Sequence, residues 1–229
     1  VRDVFNVFVG TFLIEFVLYV VLQITDAHEY FLYVQDNQLL SSLFLFGIYV
    51  LQSLGLLFPL WFFVVRRYGL TLRQLGFRWV SLPKTLAWIV AAYLFYYGLS
   101  IFTIMLFSAL GIGGLGFEPQ QSLFDFFGTS VSGILFAGFI ALIMAPFIEE
   151  IFFRGFVLNT LVKRLGAGWG ILLTALVFAA MHFQFQSIMP LIILSFVLNI
   201  LYVKTESIWP GIFFHIANNT IAFFVLLLL

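Results

Sequence analysis

Apolar residues in this chain come in long unbroken runs, not in the alternating or four-residue rhythms of half-buried strands and surface helices. Such runs cover Val4–Ile24, Leu39–Val65, Lys84–Leu110, Ser130–Val162, Gly168–Phe185, Ile188–Val203 and Ile208–Leu229. Crossing the hydrocarbon of a bilayer takes about 20 mainly apolar residues in helical form, so the pattern predicts an all-α, polytopic transmembrane helix bundle of seven spans. The polar positions between the runs sort by sign. Connectors Thr25–Asn37 and Gly111–Thr129 carry Asp26, Glu29, Asp36, Glu118 and Asp125 and neither Lys nor Arg. The other connectors hold Arg66, Arg67, Arg73, Arg78, Lys163, Arg164 and Lys204. Arg2 precedes the first run, Lys84 opens the third, and Arg154 lies late in the fourth. With seven spans all ten basic residues fall on one side, which places the N-terminus in the cytoplasm and the C-terminus outside. The multi-pass protein is expected in the plasma membrane. The stretch Arg67–Val80 mixes arginines with Leu70, Leu72, Leu75, Phe77 and Trp79 and is expected at the headgroup level.

Composition agrees. Of 229 residues 63% are hydrophobic and 9% charged, against roughly 25% charged in soluble domains, and the mean hydropathy is +1.15. A net charge of zero offers no field for nucleic acid, and the absence of cysteine removes disulfides, thiolate nucleophiles and Cys-held metals. The chain begins with Val, which suggests a trimmed or non-standard start, and its first apolar run is too long for a cleavable signal. No repeat or linker divides the sequence, so residues 1–229 are expected to form one domain with a motif-bearing core at about 130–229. The glycines at 111, 113, 114 and 116 precede no strand–helix unit and read as an outer loop.

Ionisable groups inside spans cost on the order of 2.5–3.5 kcal/mol each at mid-bilayer and need a reason. They are Glu15, Glu149, Glu150, Arg154, His182 and His215, accompanied by Asn199, Asn218 and Asn219. Most fall in three motifs. In Glu149-Glu150-Ile151-Phe152-Phe153-Arg154, Glu150 and Arg154 are four apart and are expected to pair on one helical face as structural support. Glu149, rotated about 100° from Glu150, is left as a desolvated carboxylate suited to acid–base work. In Phe178-Ala179-Ala180-Met181-His182 the histidine lies as far from the basic turn as Glu149 does, on an adjacent antiparallel helix, so the two can face each other. In His215-Ile216-Ala217-Asn218-Asn219, His215 and Asn219 share a face. A carboxylate opposite a histidine can deprotonate water, and a second histidine with an amide can stabilise an oxyanion. No Ser or Thr adjoins either histidine, which favours water over an acyl-enzyme. Two non-catalytic uses of the same residues compete. One is a proton path, for which inverted repeats and broken helices would be expected and are not seen. The other is a catalytically idle scaffold or bacteriocin-immunity protein.

EEIFFR, FAAMH and HIANN, in this order and spacing, resemble the three motifs of the CPBP family, which includes type II CAAX prenyl proteases and bacterial abortive-infection and bacteriocin-processing membrane proteins. The LRQLGFRW segment also resembles a stretch common in that family. The resemblance implies an intramembrane endopeptidase acting on membrane-associated peptides or proteins. In it Glu149 works with His182 to activate water, and His215 with Asn219 stabilises the tetrahedral intermediate. Family members are often called metalloproteases. If zinc were bound, Glu149, His182 and His215 would hold it, although no HExxH motif is present and no obligate metal is expected. The CAAX enzymes have eight spans, so a seven-span chain ending in an apolar run suggests a missing last helix. The motifs lie towards the basic face, which implies a site opening to the cytoplasm. Glu15 has no assigned partner and reads as structural.

Overall fold

The computed structural model describes residues 2–25, 27–34, 36–118 and 120–228. Asp26, counted above among the acidic connector residues, and Leu229, at the end of the last apolar run, lie outside them. Helices account for nearly all the regular structure: α1 Arg2–Ile24, α2 Ala27–Val34, α3 Gln38–Tyr68, α4 Leu82–Ala109, α5 Phe124–Phe127, α6 Val131–Met181, α7 Ile188–Thr205 and α8 Trp209–Leu228. No strand occurs among the described residues. The protein is all-α and polytopic.

Six of these helices are long and apolar enough to cross a membrane. One of them, α6, has 51 residues and would measure about 77 Å if straight, more than twice a hydrocarbon core of ~30 Å. It is not straight. Gly166 breaks it with φ 80° and ψ 165°, a conformation essentially reserved for glycine. A Cβ on Gly170 would lie 2.8 Å from the Val162 backbone nitrogen, so the two limbs fold tightly back on each other. Phe153 and Phe178, one from each limb, meet edge to face at 4.9 Å. Counted as two passes, α6 brings the total to the seven read from the apolar runs.

Three local features depart from the sequence expectation. The connector Thr25–Asn37 contains α2, and parts of α3 and α6 are wound as π-helix, at Trp61–Val65, Ile140–Met144 and Glu150–Leu158. The Arg67–Val80 stretch does not lie wholly at the headgroups. Trp79 and Leu72 are exposed, but Leu75 is buried with its carbonyl over Gly155, where a Cβ would come within 2.8 Å. Ile208 N–H donates to the Gly76 carbonyl at 2.9 Å. That segment is part of the fold because Gly155 and Gly76 leave room for its backbone.

Contacts gather into two compact units: Val1–Thr71 with Ser122–Ile148 and Asn219–Leu229, and Leu72–Gln121 with Glu149–Asn218. In the first, Glu15 finds its place: its carboxylate lies where a Cβ on Gly55 of α3 would be, 2.6 Å away. Phe127, Ala137, Ile140 and Phe223 form its core. In the second, Ala92, Leu194, Val197, Leu198, Leu201 and Phe214 form a core in which Tyr93 packs edge-on to Phe214 at 4.7 Å. The polarity is that of a protein dissolved in lipid. Large apolar side chains such as Leu94, Leu135 and Phe102 are exposed, while Glu150, Arg154, Ser195 and Asn199 are fully buried.

Candidate active site

Several buried polar residues of the second unit form one connected network. At its base, Arg154 and Glu150 pair at 2.9 Å with no solvent exposure of either side chain. An ion pair so enclosed needs its remaining hydrogen-bonding capacity met. Arg154 Nε donates to Asn199 Oδ1 at 3.1 Å, and Nη2 donates to Ser195 Oγ at 2.9 Å and to the Ser195 carbonyl at 3.3 Å. Asn199 Nδ2 in turn donates to the Ile171 carbonyl at 3.0 Å. The guanidinium also lies 5.0 Å from the Phe178 ring centroid, a cation–π contact. Asn199 was conspicuous in the sequence as an amide within a span. Ser195 gave no signal, because a serine in an apolar helix is unremarkable until a buried arginine is found beside it.

Above this base stand Glu149, His182 and His215. His182 Nε2 is 4.0 Å from Glu149 Oε1, and His215 Nε2 is 3.8 Å from Glu149 Oε2. The far nitrogens of both rings are tethered. His182 Nδ1 donates to the Phe178 carbonyl at 2.8 Å, and His215 Nδ1 donates to Glu150 Oε1 at 3.3 Å. Carbonyl and carboxylate oxygens only accept, so each Nδ1 carries a hydrogen, and each ring turns its Nε2 towards Glu149. Phe178 supports both rings, with centroids 4.5 Å from His182 and 6.3 Å from His215.

Adjacent glutamates thus reach the two nitrogens of one imidazole. The sequence expectation set Glu149 apart from Glu150 by helical rotation, and the structure adds that both carboxylates approach one ring. Glu149 ends an α-helical turn and Glu150 begins the π-helical one, and both carboxylates arrive at His215. Glu150 Oε2 and Glu149 Oε2 are buried acceptors without a hydrogen-bond partner. The former sits against Gly211, where a Cβ would come within 2.7 Å.

The structure therefore brings together Glu149, Glu150, Arg154, His182 and His215. Asn219, four residues beyond His215 on α8, belongs to the first unit, where its Nδ2 donates to the Ala141 carbonyl at 2.9 Å. The donor set of Glu149, His182 and His215 has the chemistry for zinc. Yet no group of three or more His, Cys, Asp or Glu among the described residues is placed to hold a metal ion. What the site does present is one carboxylate on which two ring nitrogens converge, at 4.0 and 3.8 Å.

Residues 126–221 match the family model described as type II CAAX prenyl endopeptidase, Rce1-like. Over that stretch, less than half of the chain, the sequence is similar to the CPBP family. All three motifs lie inside it, so the resemblance carried by EEIFFR, FAAMH and HIANN holds. The chain is also similar to the candidate membrane peptidase YdiL of Bacillus subtilis (strain 168), with 28% identity over 78 residues, which are 34% of this chain and 32% of that protein. The match thus spans about a third of the length of that curated relative. No solved structure matches the chain.

Proposed function

We propose that this protein is an intramembrane endopeptidase that cleaves membrane-associated peptides or proteins with water activated by Glu149 and His182. The observation that carries the reading is the approach of two Nε2 atoms, from different helices, to the two oxygens of one carboxylate at 4.0 and 3.8 Å. Both distances exceed a hydrogen bond, and in this reading Glu149 and a neutral His182 both accept. A water molecule beside them supplies the donors: one O–H to Glu149 and the other to His182 Nε2. That pair of bonds fixes the water and raises electron density on its oxygen.

In the proposed sequence, water attacks the scissile carbonyl as its proton passes to Glu149. The developing oxyanion is met by His215, which enters the reaction already doubly protonated, with Nδ1–H held by Glu150 and Nε2–H free to donate, and by the Asn219 amide. Asn219 takes this role from its place in the HIANN motif. Glu149 then returns its proton to the leaving amine. Glu150, Arg154, Asn199 and Ser195 hold His215 in register and are positioning residues. By the location of the basic connectors the site faces the cytoplasmic side.

Glu149→Gln keeps the volume and hydrogen-bonding shape of the side chain but removes its basicity. Purified wild type in proteoliposomes is expected to cleave members of a membrane-peptide library. Glu149→Gln is expected to lose at least about 10³-fold in rate while remaining folded. Cleavage by both forms, or by neither, would sink the proposal. Sensitivity to a chelator reversed by zinc would overturn water activation by Glu149 and His182 alone.

A further inference from the structure

A second polar cavity of about 400 Å³ lies away from the site, lined by Arg73, Arg78, Asn159, Lys163, Tyr202 and Glu206 among others. It is about 15 Å along α6 from Glu149, ten residues at ~1.5 Å each, so it is no extension of the catalytic pocket. Its charge is unbalanced. Of three cations only Arg78 is paired, with Glu206, while Arg73 and Lys163 are exposed and their side chains meet no anion among the described residues. Glu206 caps the end of α7 at φ 51°, a left-handed conformation that a glutamate takes at a cost. Asn159 Nδ2 donates to the Tyr202 hydroxyl oxygen at 3.4 Å, which leaves the Tyr202 O–H to donate into the cavity. The lining thus carries several donors and a net charge of +2, suited to a phosphate group.

Its surroundings point to the source of that phosphate. The cavity takes in the last turns of the membrane-spanning helix α7, through Tyr202 and Val203. The preceding turn of α7, Val197, Ile200 and Leu201, joins Trp88, Ala92 and Phe95 in an almost wholly apolar groove of about 230 Å³. A cationic pocket at a span's end, with an apolar groove continuing along the same helix, fits an amphiphile with an anionic head.

We infer that Arg73, Arg78, Lys163 and Tyr202 form a binding site for the phosphodiester headgroup of an anionic phospholipid, whose acyl chain lies along α4 and α7. The inference is independent of the proteolytic reading, since its readout is lipid binding. The test is native mass spectrometry and thermal shift of the full chain with phosphatidylglycerol, phosphatidylcholine or inorganic phosphate. The variants are Arg73→Ala/Lys163→Ala and, as a basic control outside the cavity, Lys84→Ala. Wild type and Lys84→Ala are expected to retain phosphatidylglycerol over phosphatidylcholine, and the double variant to bind it about tenfold more weakly. Added salt should erode the preference. Equal retention of both lipids, or a double variant that binds like wild type, overturns the inference. Inorganic phosphate that binds as tightly as the lipid overturns the lipid as ligand.

Discussion

Arg154 shows how the chain tolerates a full charge where water is absent. Its fork is occupied by Glu150, Asn199 and Ser195, so the energetic weight of the network lies less in what it contributes than in what its loss exposes. Arg154→Met removes the cation and leaves Glu150 buried with only His215 beside it. The expected loss is about 3–5 kcal/mol, measured as equilibrium unfolding in mixed micelles. Pairing it with Glu150→Gln should recover a large part of that loss, because the stranded charge goes with it. A single variant within about 1 kcal/mol of wild type would mean that the pair is not the support described here. The same accounting explains Gly211. With Glu150 Oε2 pressed against it, Gly211→Ala should displace the carboxylate, loosen His215 and lower activity more than stability.

At the scale of elements, the break in α6 decides whether the motifs meet at all. Gly166 turns the helix back so that His182, at the end of one limb, stands beside Glu149 on the other. Gly166→Ala forces a side chain into a backbone conformation that L residues avoid, at roughly 1–3 kcal/mol. Cleavage should fall further than stability, as the limbs shift along each other. Gly168 is the control, since nothing lies within 4 Å of an added Cβ there. Gly168→Ala is expected to match wild type in thermal unfolding and activity, and equal behaviour of the two variants would remove the turn from the argument. The π-helical stretch Glu150–Leu158 matters at this scale too. Such segments recur at functional sites, and this one starts at the residue after Glu149, so consecutive glutamates can share one histidine. An apolar run reveals that a helix is present and not how it is wound, which is why this winding was invisible in the sequence.

For the whole molecule, the open proposition is its orientation in the bilayer. The chain has no cysteine, so single introduced thiols report cleanly. Asp125→Cys is expected to react with an impermeant maleimide in intact cells, and Arg164→Cys only after permeabilisation. The reverse pattern would invert the topology and with it the side to which the proposed site opens.

The sequence by itself determined that the chain is α-helical, that it crosses the membrane about seven times, and which few polar residues are dear enough in lipid to need a purpose. Those are consequences of solvation, which acts on composition and spacing alone. Pairing of Glu150 with Arg154 was legible for a similar reason, being local to one helix. Only the tertiary structure decided what stands beside those residues. Ser195, Asn199 and Gly211 join the network from α7 and α8, Leu75 turns inward over Gly155, and both imidazoles have their Nδ1 tied down. Contacts of that kind depend on which face each helix turns to its neighbours, and in spans that are apolar almost all round no periodicity in the sequence marks that face.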